Sequence, residues 1–461
     1  MLVIISDLHL TDGTTCTNIS ADAFNLFTER LRDLAGRAGW RSDGNYRPIE
    51  QIDLILLGDI LDMLHSNLWE NAYTGHPDYA RPWDDPKSPG FIQKIASITD
   101  GILSHNAAAF VHLRDMSNGT AITVPAQPQD HPGEYVTSRQ SVPVRIFYMV
   151  GNHDWYLHLP GVALNQIRRK IIKEMGLINP PARFPHDINE WSELERTCRA
   201  HGVLARHGDV FDPINYDQIH GRDSASLSDA LAIELVNRFP CAVQQAWGEQ
   251  LPPEFFKNMH EMSNVRPALL IAGWIDGLIQ RYCQTPALTN GVKEIWNDLV
   301  DQFLRTPFVR SLDKAFSFDI IDALEIALRF TKAASMNSLD QLLSFITDQF
   351  LGGDLNLSYA KFALREKAFQ DHSAQHIVYG HTHSQEIVPL GTITDQSKTH
   401  NQICFNTGTW HSIYTPTRLG QHQFVGYQVM TYIAFFKGDE RHGRPYESWS
   451  GTLAWEPASQ R

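Results

Sequence analysis

The sequence predicts an α/β fold: a layered sheet split by a long helical insertion. Three observations carry this. Apolar, β-branched runs alternate with amphipathic helical patterns from the first residue. Each early apolar run stops at a short polar motif of Asp, His, Asn or Gly. Residues 225–370 then read almost wholly as helix before strand-like runs resume.

Met1-Leu2-Val3-Ile4-Ile5 reads as a short buried strand that ends at Ser6-Asp7-Leu8-His9. Residues 20–38 read as a helix, with Phe24, Phe27, Leu31 and Leu34 at helical spacing and Ser20 as its N-cap. Asp53 to Leu57 is a second strand, ending at Gly58-Asp59. Residues 65–90 hold Pro77, Pro82, Pro86 and Pro89 and read as a long surface loop. A helix over 91–115 and a Pro-, Gly- and Ser-rich loop over 117–143 lead to the third strand, Val144 to Val150, which stops at Gly151-Asn152-His153-Asp154. A shorter α/β stretch reaches Val203-Leu204-Ala205-Arg206-His207-Gly208-Asp209. The insertion shows apolar positions at spacings of three and four, as in Leu231, Leu235, Phe239 and in Leu339, Leu342, Leu343, Ile346. The stripe around Leu269-Leu270-Ile271-Ala272-Gly273-Trp274 reads as its core. Gln375 to Tyr379 restores a strand that ends at Gly380-His381-Thr382-His383, and β-like segments such as Gln402 to Phe405 and Val425 to Phe435 close the chain. The expected division is a core in two parts, 1–220 and 373–461, around a helical cap insertion at 221–372.

Bulk properties narrow the function. The 461 residues are 43% hydrophobic, enough for a sizeable core. A net charge of −13 does not suit passive binding to nucleic acid or an anionic membrane. Cys16, Cys198, Cys241, Cys283 and Cys404 are far apart and odd in number, which reads as free thiols in a reducing compartment. The apolar N-terminus is too short for a secretory signal, and no run approaches a membrane span. The expected location is the cytoplasm.

The chemistry sits at the strand ends. Asp7 and His9 are spaced i, i+2 and point to one side of an extended chain, as do His381 and His383. Asp59, Asn152, His153 and His207 end other strands, where open α/β sheets place their sites. Imidazole and carboxylate donors suit transition metals, and there are too many of them for one four-coordinate ion. A carboxylate such as Asp59 can bridge two ions, and such a pair can clamp a phosphate.

Asp7-Leu8-His9, Gly58-Asp59-Ile60-Leu61-Asp62, Gly151-Asn152-His153-Asp154, His207-Gly208-Asp209 and Gly380-His381-Thr382-His383 occur in the order of the calcineurin-like metallophosphoesterase superfamily, which the chain resembles over residues 1–220 and 373–435. The H-G-D form of the fourth motif and the cap before G-H-x-H are similar to the UDP-diacylglucosamine hydrolases, a much shorter subfamily. The resemblance implies a two-sheet αββα sandwich flanked by helices. It implies that Asp7, His9 and His383 hold one divalent metal and that Asn152, His207 and His381 hold a second, bridged by Asp59. Manganese is the favoured ion, with Fe, Zn, Ni or Co as alternatives. It makes His153 the catalytic residue beside the phosphate, stabilising charge or protonating the leaving oxygen. Asp62 and Asp154 are expected to orient histidines, with turn capping as their other role.

The expected function is a metal-dependent phosphoric ester hydrolase acting on a small phosphorylated or nucleotide-like substrate. A nuclease on the same dinuclear centre would need a basic strip, for which Arg168-Arg169-Lys170 is the one dense cluster near a motif. A metal-bearing, non-enzymatic interaction module is the third reading. Trp155 and Tyr156 read as packing that could flank substrate, and His65, His76, His105 and His158 as surface or turn residues. Asn406-Thr407-Gly408-Thr409-Trp410 reads as structural.

Overall fold

The first strand, β1 (Leu2–Ile5), buries every side chain, as a continuous apolar run does when both faces of a sheet are covered. Its alternation separates two cores: Val3 and Ile5 pack under helices, whereas Leu2 and Ile4 join a core shared with a second sheet. The computed structural model describes residues 1–70, 76, 79–126, 138–266, 268–313, 320–329, 359–395, 398–417 and 423–454, and the fold is mixed α/β.

The strands are β1, β2 (Ile52–Leu57), β3 (Thr123–Pro125), β4 (Arg139–Ser141), β5 (Val144–Met149), β6 (Val203–Ala205), β7 (His376–Tyr379), β8 (Gln385–Asp395), β9 (Lys398–Thr407), β10 (Ser412–Pro416), β11 (Phe424–Phe435) and β12 (Tyr446–Ala454). A six-stranded sheet runs β10-β11-β1-β2-β5, with β12 also on β11. Within it β1, β2 and β5 are parallel, and β11 is antiparallel to β1. A four-stranded sheet runs β6-β7-β9-β8. There β6, β7 and β9 are parallel, and β8 returns antiparallel on β9. The shared core between the sheets takes Ile55, Leu57, Phe147 and Met149 from one and Val203, Ile377, Tyr379 and Phe405 from the other. The single acid inside β2, Asp53, is matched by Arg145 on neighbouring β5 at 2.7 Å.

Helices α1 (Ala21–Ala38), α2 (Pro89–His105), α3 (Ala107–Ser117) and α4 (Val162–Met175) cover the outer face of the larger sheet, and α5 (Ser192–Arg199) joins the shared core. Ser20 caps α1 by accepting the Asp22 N–H at 3.2 Å, which satisfies one orphan donor of the first turn. The helix expected over 91–115 is two helices broken at Asn106. The Asn106 amide donates to Ile102 O and, across the fold, to Thr11 O at 2.8 Å, so a polar side chain takes over where the helix ends. The region expected as loop over 117–143 contains the β3–β4 pair. The closing segments are longer than apolar patterning indicated: Gln402–Phe405 lies inside a ten-residue strand of a long β8–β9 hairpin.

The insertion contains helices from Leu227–Leu231 to Ile320–Arg329 and builds its own core around Phe239, Val243, Trp296 and Phe303. Leu270, Ile271 and Trp274 belong to that core; the Leu269 side chain and the Leu339–Ile346 stripe lie outside the described residues. Trp274 packs on Tyr414 and Phe424 of the β10–β11 hairpin. The buried ion pair Arg81–Glu234 and the Asn237 amide, donating to Leu64 O at 2.8 Å, fasten the insertion to the loop after β2. Among the described residues no helix is long and apolar enough to cross a membrane.

Candidate metal centre

Every residue singled out for metal binding lies just beyond the C-terminal end of a parallel strand: Asp7 and His9 after β1, Asp59 after β2, Asn152 after β5, His207 after β6, and His381 and His383 after β7. Two motif glycines explain how the strand ends come together. Gly58 has φ +84°, and a Cβ there would collide with the His207 imidazole. A Cβ on Gly151 would meet the Asp59 carboxylate and the same imidazole. Asp7, His9, Asp59, His381 and His383 themselves adopt left-handed φ values of 45–69°. That conformation costs about 1–2 kcal/mol per non-glycine residue and persists only where the surroundings enforce it.

The side chains gather into two groups joined by one acid. Asp7, His9 and His383 offer donor atoms that all lie within 4.8 Å of one another, and so do Asp59, His207 and His381. Asp59 Oδ2 is 3.1 Å from His207 Nε2 and 3.9 Å from His9 Nε2, so it reaches into both groups. Asn152 Oδ1 lies 3.0 Å from His381 Nδ1.

Three details fit these groups to cations. His207 Nδ1 contacts the Leu57 carbonyl at 2.9 Å, which puts its proton there and leaves the Nε2 lone pair facing Asp59. His9 Nδ1 contacts Asp62 Oδ2 at 3.0 Å, with the same consequence for its Nε2. Finally, Asp7 Oδ1 and His207 Nε2 are buried with no hydrogen-bond partner. The 3.1 Å approach of His207 Nε2 to Asp59 is out of line for a hydrogen bond, a geometry compatible with both atoms facing a cation.

The charges are strongly coupled. Burial raises the Asp59 carboxyl, but His207 and His153 outweigh it and hold the group well below the usual range. Burial opposes a charge on His9, yet Asp62 and Asp7 push it up to about 10. Burial and the neighbouring Arg266 drive His383 the other way, far below its ordinary value.

Asp62 contacts three imidazoles: His9, His65 Nδ1 at 2.8 Å and His153 Nδ1 at 2.9 Å, the last out of line for a hydrogen bond. Asp154 does not orient a histidine. It accepts from the Gly151 and Ile60 backbone and from Tyr148, and so ties the β2 and β5 loops together. Asp209 pairs with Arg222, which donates to Gly151 O. His153 donates its backbone N–H to Asp59 Oδ1 at 2.8 Å, and its ring faces a cavity of about 740 Å³ over the centre. Asn406 and Thr407 donate to the carbonyls of Gly380 and Tyr379, and Thr409 to Asp7 O, so that segment braces the ligand loops.

Several side chains at the site are new. Asp212 lies 3.2 Å from His381 Nε2 and holds Asn215, which in turn accepts from Asn152. Its place three residues after Asp209 was a usable signal. Arg266 reaches from the insertion to His383, with its guanidinium 2.8 Å from Nδ1 and 3.3 Å from Nε2, and also donates to the carbonyls of Ser263 and Val265. No local pattern marks it. His65 and His158 are buried rather than surface residues. Trp155 and Tyr156 are buried too, and both point at Asp229 of the insertion instead of lining the cavity. The basic cluster does not form a strip: Arg168 is buried on the carbonyls of Leu157 and Leu159, and Lys170 pairs with Asp100. No protein-family model matches the chain, and no curated protein matches it.

Proposed function

We propose that the protein is a two-metal phosphoesterase that hydrolyses a phosphoric ester or pyrophosphate bond. The observation that carries this is Asp59, a buried carboxylate reaching two ligand groups at once, in the motif order that resembles the calcineurin-like metallophosphoesterases. On this reading the two sheets are the paired layers of an αββα sandwich, and 221–372 is its cap. Asp7, His9 and His383 would hold one divalent cation, Asn152, His207 and His381 the other, and Asp59 both. Two such cations, manganese first, supply positive charge for the phosphate and make water acidic enough to act as a nucleophile near neutral pH.

The chain's own groups do the rest. Asp62 fixes the tautomer of His9, and Leu57 O that of His207. His153 stands at the cavity, beside Asp62 and Asp59, which raise its proton affinity against the effect of burial; it is placed to protonate the departing oxygen. Were His383 to hold a cation through Nε2, its ring proton would sit on Nδ1, and the Arg266 guanidinium would have to leave that atom. The cavity that Arg266 lines is the space open to its guanidinium, where an anionic group would meet it. Phe211, Tyr359 and Phe362 form an aromatic wall of that cavity, suited to a substrate with an apolar or planar part beside its phosphate.

The test is hydrolysis of aryl phosphomonoesters, phosphodiesters and nucleotide pyrophosphates by manganese-loaded protein, run beside Asp59→Asn. Turnover of at least one substrate class, lost in the variant, is the expected result. Equal rates for both proteins would refute the shared carboxylate.

A further inference from the structure

Away from the centre, the side chains of His158, His186 and Glu190 converge from two loops. His158 follows the turn Trp155–Leu157, and His186 precedes the turn Ile188–Glu190. His186 Nδ1 lies 3.4 Å from His158 Nε2, His158 Nε2 lies 3.4 Å from Glu190 Oε2, and His186 Nδ1 lies 2.8 Å from Glu190 Oε1. Ligands at about 2.0–2.1 Å around a tetrahedral ion are separated by about 3.3–3.4 Å. Two of the three spacings therefore match the edges of a coordination tetrahedron.

A second observation sets the lone pair. His158 Nδ1 contacts Asp223 Oδ1 at 2.6 Å and the Arg183 guanidinium at 3.0 Å; a carboxylate can only accept, so the shorter contact places the ring proton on Nδ1 and leaves Nε2 bare toward the cluster. Metal-binding histidines characteristically give their other N–H to a carboxylate in this way. Asp223 is itself held by Arg183, whose Nε donates to His158 O at 2.7 Å. The His158 side chain is 8% exposed and those of His186 and Glu190 are 25% and 35% exposed, so the cluster is rooted in the protein and open on one side to a water ligand.

We propose that His158, His186 and Glu190 form a site for one divalent transition-metal cation, zinc first, separate from the dinuclear centre. Two imidazoles and one carboxylate suit zinc better than calcium or magnesium. The site joins the loop that begins at Asn152 and His153 to the loop before α5. Through Asp223, which adjoins the Arg222 that donates to Gly151 O, it also joins them to the start of the insertion. Its role is to stiffen the wall that carries Asn152 and His153. The alternative is a solvated His186–Glu190 ion pair at i, i+4 that holds no cation.

The proposal does not depend on phosphoesterase activity and is tested by metal content. Full-length protein, stripped by a chelator, is re-equilibrated with zinc at buffered free concentrations and desalted, and bound zinc is counted by mass spectrometry. Wild type, His186→Ala, Glu190→Gln, the centre-disabled Asp59→Asn/His207→Asn pair, and that pair with His186→Ala are compared. His186→Ala and Glu190→Gln should each bind one equivalent fewer than wild type, with unchanged circular dichroism. The centre-disabled protein should keep that equivalent and lose it with His186→Ala. Cobalt in its place should give a visible absorption band that disappears with the same change. Equal zinc in wild type and His186→Ala, or no difference between the two centre-disabled proteins, would overturn the site. Failure of the dinuclear reading would appear elsewhere, as equal zinc in wild type and the centre-disabled pair.

Discussion

Replacing Asp62 by Asn keeps the shape of a buried side chain and reverses what it can do. Asp62 Oδ1 accepts the backbone N–H groups of Leu64 and His65 at 3.1 Å each, while Oδ2 faces Nδ1 of His9, His65 and His153 at 3.0, 2.8 and 2.9 Å. The amide oxygen of Asn can keep the two backbone contacts. Its NH₂ can only donate, so His9 Nδ1 must become an acceptor and its proton must move to Nε2. That is the atom facing Asp7, Asp59 and His383. A His9 that carries its proton on Nε2 cannot ligate there. Losing a partner that orients a ligand histidine costs about 10–100-fold in metal affinity, or roughly 1.4–2.7 kcal/mol. Cation affinity can be measured by competition with a chromophoric chelator, and the melting temperature reports whether the backbone turn survives. Asp62→Asn binding within about twofold of wild type would refute the tautomer argument.

Three further outcomes are expected. Arg266→Ala should leave cation stoichiometry unchanged and raise KM for an anionic substrate about 10–100-fold, the worth of one charge-assisted hydrogen bond; an unchanged KM would exclude Arg266 from substrate binding. Adding manganese to chelator-treated protein should raise the melting temperature, because the cation binds only the folded ligand set, by about 2.7 kcal/mol of stability at a hundredfold excess over Kd; no shift in wild type, or the same shift in Asp59→Asn, would count against the centre. Burial holds His201 down to about 3 and His376 to about 4 in the folded chain, against an ordinary value near 6.5. The unfolded chain then binds more protons below pH 6.5, so stability is full above that pH and falls toward pH 4 by about 1.4 kcal/mol per unit for each histidine. Urea unfolding of His201→Gln between pH 7 and 5 should show a slope smaller by one proton, and an unchanged slope would contradict this.

The parallel strands of the core were legible because each is buried on both faces and so reads as an uninterrupted apolar run. Their ends were legible because Gly58 and Gly151 stand where a side chain would strike a ligand. What the sequence hid depends on distance. Arg266 lies in an irregular stretch of the insertion, and its direction is set by docking: its own N–H bonds Tyr414 O at 2.9 Å, far along the chain. His158, His186 and Asp223 meet only after two loops and the insertion have packed, and within their cluster only the i, i+4 step from His186 to Glu190 is local. Asp154 sits in a motif that suggested work on a histidine, yet its oxygens are taken by backbone N–H groups and Tyr148. The β3–β4 pair and β8 were missed, and β9 was seen only in its Gln402–Phe405 part, because one or both faces are solvent-exposed and the apolar signal thins out.

The pairing of β6 with β7 has a consequence for synthesis. Among the described residues β6 lies at the edge of its sheet and pairs as a strand only with β7, which follows the whole insertion. The His381 N–H that bonds Asp7 belongs to a residue 374 positions later. At ordinary translation rates that interval lasts on the order of tens of seconds. During it the emerging polypeptide presents first Asp7 and His9, then Asp59, Asn152 and at last His207 on strand ends that have no fifth wall, with an exposed edge at β6 once that strand is made. An ion captured then would meet an incomplete cage. A tight, full complement is possible only once β7 has docked, so metal retention should mark the last step of maturation and not an early nucleus.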